Sequence, residues 1–292
     1  MSDIHLRFLR FSAFYSPILV TLAGGHLATE GLEATFDVAG PGRSVDDGFR
    51  DGTVQVTQSA VATHFGPSGA DLPYRHFAVV NRRDGFFLAR RGGPGPFRWA
   101  DLRGRTILAD HYFQPLALLT AALDANGVGV AEVALVDAGS PDEMVAAFRS
   151  GRGDFVHLQG PAPHQLETAG SATVVAAVGE HTPELAFSSL GATDEWLATP
   201  AAVAFTRAYL KGREHARTAS AAEVARLVSP FLRIDDREAV TSAVAAYQAL
   251  GTWDGDASID DELYRATIEV FRSTPGHDVA PPMDVVVAPL PG

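Results

Sequence analysis

WADLRGRTILAD, Trp99 to Asp110, follows directly on NRRDGFFLARRGGPGPFR, Asn81 to Arg98. A Phe-rich, strand-like run breaks into Gly and Pro, then restarts with a short amphipathic turn, Gly104-Arg105 and the apolar run TIL. Gly and Pro in such density punctuate a chain, and strand and helix patterns lie on both sides. The stretch therefore reads as a crossing from one α/β lobe into another, which puts the chemistry between lobes.

On the N-terminal side, LRFLRFS (Leu6 to Ser12) alternates as a strand does, and SPILVTLAGGHLATEG follows with a Ser16-Pro17 helix start. LEATFDVA (Leu32 to Ala39) is a second strand, followed by the turn GPGRSVDDGFRDG, and VQVTQSA (Val54 to Ala60) is a third. HFAVVNR and GFFLARR supply two more before the break. Beyond it, TILAD, LALLTAALDANG, VALVDAG, a helix from Ser140 to Arg149, DFVHLQ, PAPHQLETAG and TVVAAVG alternate strand and helix. A strand from Leu185 to Gly191 reads as the return to the first lobe, and helices follow it. The expectation is an α/β fold of two lobes with largely parallel sheets. Lobe 1 comprises residues 1–95 and 186–292 with the C-terminal helices, and lobe 2 comprises 96–185. The tail HDVAPPMDVVVAPLPG is expected to strap along the surface.

The 292 residues are 46% hydrophobic, enough for sizeable cores. A formal net charge of −12 argues against tracking phosphate backbones or coating anionic lipid, so neither nucleic acid nor membrane insertion is expected. The absence of cysteine excludes disulfides, thiolate nucleophiles and Cys-ligated metals. Lys211 is the single lysine and lies at a polar helix end, so a Schiff-base enzyme is disfavoured. No G-x-S-x-G, H-E-x-x-H or lysine-bearing P-loop occurs, and no histidines pair at i, i+4 with an acidic partner. Neither metal nor cofactor is expected. The N-terminus carries Asp3 and no basic leader before Pro17 to Ala23, so the chain as written is expected in the cytoplasm, and outside it only where a leader precedes this sequence.

Loops at strand ends carry function, and they supply the candidate ligand contacts. Ser12, Phe14, Tyr15 and Ser16 end the first strand at a helix N-terminus, where N–H groups attract anions and rings sandwich flat ligands; the plain alternative is an N-cap with Phe14 in the core. Gly40 lets backbone approach a ligand, and Arg43 reads acidic groups in a bidentate fork or pairs with Asp46 or Asp47. Gln58 and Ser59 orient a ligand from the third strand; His64, one turn on, is either functional or a satisfied structural histidine. His111, Tyr112 and Phe113 place an imidazole and two rings at a helix entrance in lobe 2, joined by Gln159. Ser188 and Ser189 reach in from the return crossing or form a small-residue hinge.

FSAFYSP, GLEATFDVAGPG, DGTVQVTQSA, ADLRGRTILAD, AFRSGRGDFVHLQGP and AAYQALGTW, in that order, resemble the SsuA/THI5 (NMT1-like) branch of type II periplasmic-binding-protein folds over nearly the whole chain. The resemblance implies a clamshell with its cleft between FSAFYSP on one side and DHYFQP with LQGPAPH on the other. It also implies a solute-binding protein of the ABC-transporter type, closing on a small anionic or heteroaromatic ligand, with an ABC permease as partner if a leader has been removed. Relatives of this branch take up sulfonates, taurine, nitrate or pyrimidine precursors. The second reading is a cofactor-independent lyase, because desulfinases and a menaquinone-route dehydratase share the fold. His111 or His64 would then be the acid-base group, with Arg43 or Arg50 on an acid substituent and Tyr15 or Tyr112 donating to developing charge. The desulfinase cysteine is absent, with Phe14, Tyr15 or Ser16 in its place.

Overall fold

Ile4, Leu6 and Phe8 are all buried, and their period of two sets the first strand, β1 (Ser2–Phe8), in a computed structural model that describes residues 2–69, 71–272 and 274–292. The strand stops four residues short of Ser12. Ser12 caps a 3-10 turn, Ala13–Tyr15, that runs into α1 (Ser16–Ala23), and α2 (His26–Thr29) and β2 (Leu32–Val38) follow. α3 (Val45–Arg50), β3 (Val56–Ser59), β4 (Arg75–Asn81) and β5 (Phe86–Arg91) come next. β6 (Thr106–Leu108), α4 (Phe113–Ala125), β7 (Ala134–Val136), α5 (Pro141–Arg149), β8 (Phe155–Gln159), α6 (Ala162–Thr168) and β9 (Ala172–Ala177) then alternate. β10 (Ser188–Ala192) leads into α7 (Asp194–Leu197), α8 (Pro200–Thr218), α9 (Ala221–Leu232), α10 (Arg237–Ala249), α11 (Asp261–Phe271) and α12 (Met283–Val286). None of the helices described is long and apolar enough to cross a membrane.

The strands form two sheets of the same design, ordered β2-β1-β3-β10-β4 and β7-β6-β8-β5-β9. In each, three parallel strands are followed by one antiparallel strand that arrives from the other half of the molecule. The sheets are therefore mixed rather than largely parallel. The first crossing also lies elsewhere than the composition suggested. β5, the GFFLARR run assigned to lobe 1, pairs antiparallel with both β8 and β9 in the second sheet. Phe86 to Ala89 are buried there, so the chain changes lobe at residues 82–85, ahead of the Gly-Pro break. The break is a turn on the second lobe, held by Arg90 donating to the carbonyls of Gly93, Gly95 and Pro96. The chain returns between β9 and β10.

Helix α1 is buried on nearly every side and packs against α8 and α9. Fully buried Ile18, Leu19 and Val20 each contribute about 1.5–3 kcal/mol relative to exposure. α8 crosses α1 at Gly212, where any Cβ would overlap the Thr21 side chain. The tail is pinned to the first sheet: Val287 bridges to His76 at the β4 edge, and the Ala288 N–H donates to the His76 carbonyl at 2.8 Å.

The two lobes are tied at their shared base by side chains from the C-terminal helices. The Tyr247 hydroxyl on α10 accepts from the Gly160 N–H at 2.8 Å and donates to the Gly85 carbonyl at 2.9 Å. Ser12 Oγ donates to the Gly160 carbonyl at 2.7 Å, crossing from lobe 1 to lobe 2. Trp253 Nε1 donates to the Phe14 carbonyl and to Asn81 Oδ1, fixing the end of β4. Tyr247→Phe strands a buried N–H and a buried carbonyl. It is expected to destabilise the protein by about 1–3 kcal/mol in urea denaturation, with little change in the slope; an unchanged midpoint would show that the hydroxyl carries no weight.

Candidate functional site

The loops that leave the C-terminal ends of the parallel strands face one another across a cleft of about 690 Å³. β1 delivers Leu9, Arg10 and Tyr15, β2 delivers Ala39 and Gly40, and β3 delivers Gln58 and Ser59. Phe187 and Ser188 come in with the return crossing. From the second lobe, the loop after β6 supplies Asp110 to Pro115, and the loop after β7 supplies Asp137, Gly139 and the start of α5. A crevice at the carboxyl ends of the strands is thus built from both halves, and each half presents a helix N-terminus to it.

Of the residues expected to contact ligand, Tyr15, Gly40, Gln58, Ser59, His111, Tyr112, Phe113 and Ser188 line the cleft. The others do not. Ser12 is buried at the lobe junction, capping the Phe14 N–H and donating to Gly160. Phe14 is fully buried against Tyr247 and Phe187, and Ser16 donates to the Ala13 carbonyl. Ser189 alternates with Ser188 and so faces away, bonded at 2.8 Å to His76 Nδ1. Arg43 folds back on its own turn, donating to the Val38 carbonyl and pairing with Asp37 at 3.7 Å, rather than with Asp46 or Asp47. Gln159 is buried opposite Phe86 on β8. His64 packs edge-on against Tyr74 and His76, outside the cleft lining.

Arg10 and Asp110 are the charged cleft residues that the sequence pattern concealed. Both fall in runs that read as strands, LRFLRFS and TILAD, but β1 ends four residues before Ser12 and β6 two before Asp110. Across the cleft, Arg10 Nη1 lies 3.7 Å from Asp110 Oδ2, while Asp110 Oδ1 accepts from the Tyr112 N–H at 2.9 Å. His111 Nδ1 lies 2.9 Å from the Ala109 carbonyl; a carbonyl only accepts, so Nδ1 carries a hydrogen and points Nε2 away from that carbonyl. Gln114 Nε2 donates to the Phe187 carbonyl at 2.6 Å, joining α4 to the return crossing.

Fold and cleft together define a two-lobed clamshell of the periplasmic-binding-protein type. The chain belongs to the NMT1/THI5-like family, whose model matches residues 13–220. It is 23% identical over 275 residues to the "Putative binding protein YtlA" of Bacillus subtilis (strain 168), covering 91% of this chain and 82% of that one. Among solved structures, the alkanesulfonate-binding protein SsuA from Xanthomonas axonopodis pv. citri, bound to MOPS, superposes with a TM-score of 0.71 at 15% identity, over 99% of each chain. The desulfurization enzyme DSZB superposes with a TM-score of 0.67 at 16% identity, over 99% of this chain and 97% of that one. At these identities the superpositions speak to the fold.

Buried titratable groups surround the cleft without entering it. Asp84, in the first crossing, is fully buried; its Oδ1 accepts from the Phe86 N–H at 2.6 Å and its Oδ2 has no partner among the described residues. Burial, with a smaller push from Asp110, raises its carboxyl to about 8. Burial drives His64 and His164 down to about 4 and His157 down to about 3, and holds His76 well below 6.5. Between 6.5 and 8 the native state keeps a proton on Asp84 that the unfolded chain has lost, so stability falls as pH rises through that window. Below 6.5 the unfolded chain takes up protons that the buried histidines refuse, so stability falls as pH drops, four imidazoles outweighing one carboxyl. Urea denaturation should therefore give maximal stability near neutrality, with a decline of about 1.4 kcal/mol per pH unit on the alkaline side. Asp84→Asn should abolish that decline and leave the acid limb in place. A wild-type stability that climbs from pH 6.5 to 8 would sink this assignment.

Proposed function

We propose that the protein is a small-molecule-binding protein of the ABC-transporter solute-binding type, whose lobes close on a small flat ligand and do no chemistry on it. One observation carries the reading: the cleft lining has hydrogen-bonding groups and aromatic faces, but among the described residues none of its hydroxyls is paired with a histidine, and the one paired with a carboxylate, Ser140 with Glu143, closes the capping box of α5. Ser59 Oγ meets the Tyr74 hydroxyl at 3.3 Å and Ser188 Oγ accepts from Asn81 Nδ2 at 2.7 Å. The one Ser–His hydrogen bond among the described residues, Ser189 to His76, joins two fully buried side chains. Tyr15, Tyr112, Phe113 and Phe187 supply the faces for a planar ligand. SsuA-type relatives and the family match support the receptor reading. Its partner would then be an ABC permease and its place of work outside the cytoplasmic membrane. A cytoplasmic sensor or carrier would use the same cleft.

The likeness to DSZB keeps a lyase as the second reading. Its acid-base group would be His111, since His64 packs against Tyr74 and His76 outside the cleft lining. Its anchoring arginine would be Arg10, because Arg43 and Arg50 are engaged outside, Arg50 with the Asp71 carbonyl.

Native mass spectrometry of the freshly purified chain separates the two. A receptor is expected to carry a compound whose mass stays constant on incubation. Tyr15→Ala and Gln58→Ala should each weaken its retention at least about tenfold through lost stacking and a lost hydrogen bond. A ligand that is converted over time, with conversion abolished by His111→Ala, would replace the receptor by the lyase.

A further inference from the structure

The receptor reading leaves the charge of the ligand open, and the polar groups of the cleft decide it. Helix N-termini usually offer free N–H groups to anions. Here two of the protein's own carboxylates stand just ahead of those groups. Asp110 accepts from the Tyr112 N–H ahead of α4, and Asp137 accepts from the Gly139 N–H at 2.8 Å ahead of α5. Glu143 takes the Ser140 N–H and hydroxyl, both at 2.7 Å, and Pro141 at the first position of α5 has no N–H to give. Arg10 is the only arginine or lysine in the cleft lining described, against two aspartates, so the lining holds one carboxylate in excess. That arginine is held loosely, about a third exposed and 3.7 Å from Asp110.

The cleft floor points the same way by an independent route. Gln58 lines the cleft and is 4% exposed; its Nε2 faces the Ser59 carbonyl at 3.5 Å, which sets the amide orientation and leaves Oε1 with no donor among the described residues. A buried acceptor without a partner calls for a donor from the ligand. Beyond the neighbouring strand β10, Asn81 on β4 accepts at Oδ1 from Trp253 Nε1, so its Nδ2 donates to Ser188 Oγ on β10 and the serine proton remains free. The aromatic side chains that flank this floor attract positive charge over their faces.

We infer that the ligand is a planar organic cation, of the amidinium or aromatic ammonium kind. It sets an N–H on Gln58 Oε1 and its charge toward Asp110, which exchanges Arg10 for it. The −12 net charge of the chain draws such a ligand in from a distance. This inference rests on the receptor reading and assigns its ligand class.

Three probes of one shape test it by isothermal titration calorimetry on the full chain freed of any bound compound: benzamidine (cation), benzamide (neutral) and benzenesulfonate (anion). Benzamidine is expected to bind at least about tenfold tighter than benzamide, and benzenesulfonate not to bind. Asp110→Asn keeps an acceptor for the Tyr112 N–H; it should remove the preference for benzamidine and spare benzamide, with thermal unfolding confirming a folded variant. Equal or tighter binding of benzamide or benzenesulfonate overturns the charge assignment and leaves the receptor standing. Binding of none of the three up to about 10 mM likewise overturns it. The receptor itself fails only if the compound found by native mass spectrometry is converted.

Discussion

The hydroxyl of Tyr247 holds the base on which the two lobes meet. It accepts from Gly160 at the end of β8 and donates to Gly85 at the start of β5, so one oxygen fixes two adjacent strands of the second sheet to a helix supplied by the C-terminal region. α10 packs in turn against α6 in the second lobe and against the 3-10 turn after β1 in the first. A buried N–H and a buried carbonyl must each find a partner, and at this place no backbone partner is on offer. The contact is close: a Cβ on Gly160 would stand 2.8 Å from the hydroxyl, so the backbone there has to be that of glycine. At the other crossing Gly179 plays the same part, since any Cβ would overlap the Asp84 carbonyl.

Above that base, the cleft is a product of sheet topology. Parallel strands end on one side, and two sheets of the same order bring the loops after β1, β2 and β3 opposite those after β6 and β7 around one space. What distinguishes this cleft is how its polar atoms are already committed. Asp110 and Asp137 stand just ahead of two helix N-termini, the lining serines are bound to a tyrosine, an asparagine and a glutamate, and the imidazole of His111 is turned by the Ala109 carbonyl. What remains uncommitted is an amide oxygen, a hydroxyl proton and several aromatic faces.

Much of this could be read from the sequence because strand periodicity and turn chemistry are local. The lobed α/β design, the return strand and the cleft positions of Tyr15, Gln58, His111 and Tyr112 follow from where strands give way to loops. The errors arose where partners are distant. GFFLARR has the same pattern in either sheet, and only pairing with β8 and β9 assigns it to the second. Arg43 and Arg10 are equivalent in composition, but the Gly40 to Arg43 bridge folds the first outward while the early end of β1 leaves the second in the cleft. Ser188 and Ser189 differ by one residue and therefore by one face of the sheet, a distinction that depends on register.

The exchanged strands also give the two lobes different histories during synthesis. The second sheet is drawn wholly from residues 86–177, a continuous stretch able to pair as soon as it leaves the ribosome. The first sheet needs β10 between β3 and β4, so its four earlier strands wait through the whole of the second lobe with β4 unpaired. α8, which covers α1, emerges later still. The N-terminal strands, first to be made, are thus the last to be closed, and it is their exposed apolar edges that a nascent chain of this architecture has to keep from pairing wrongly.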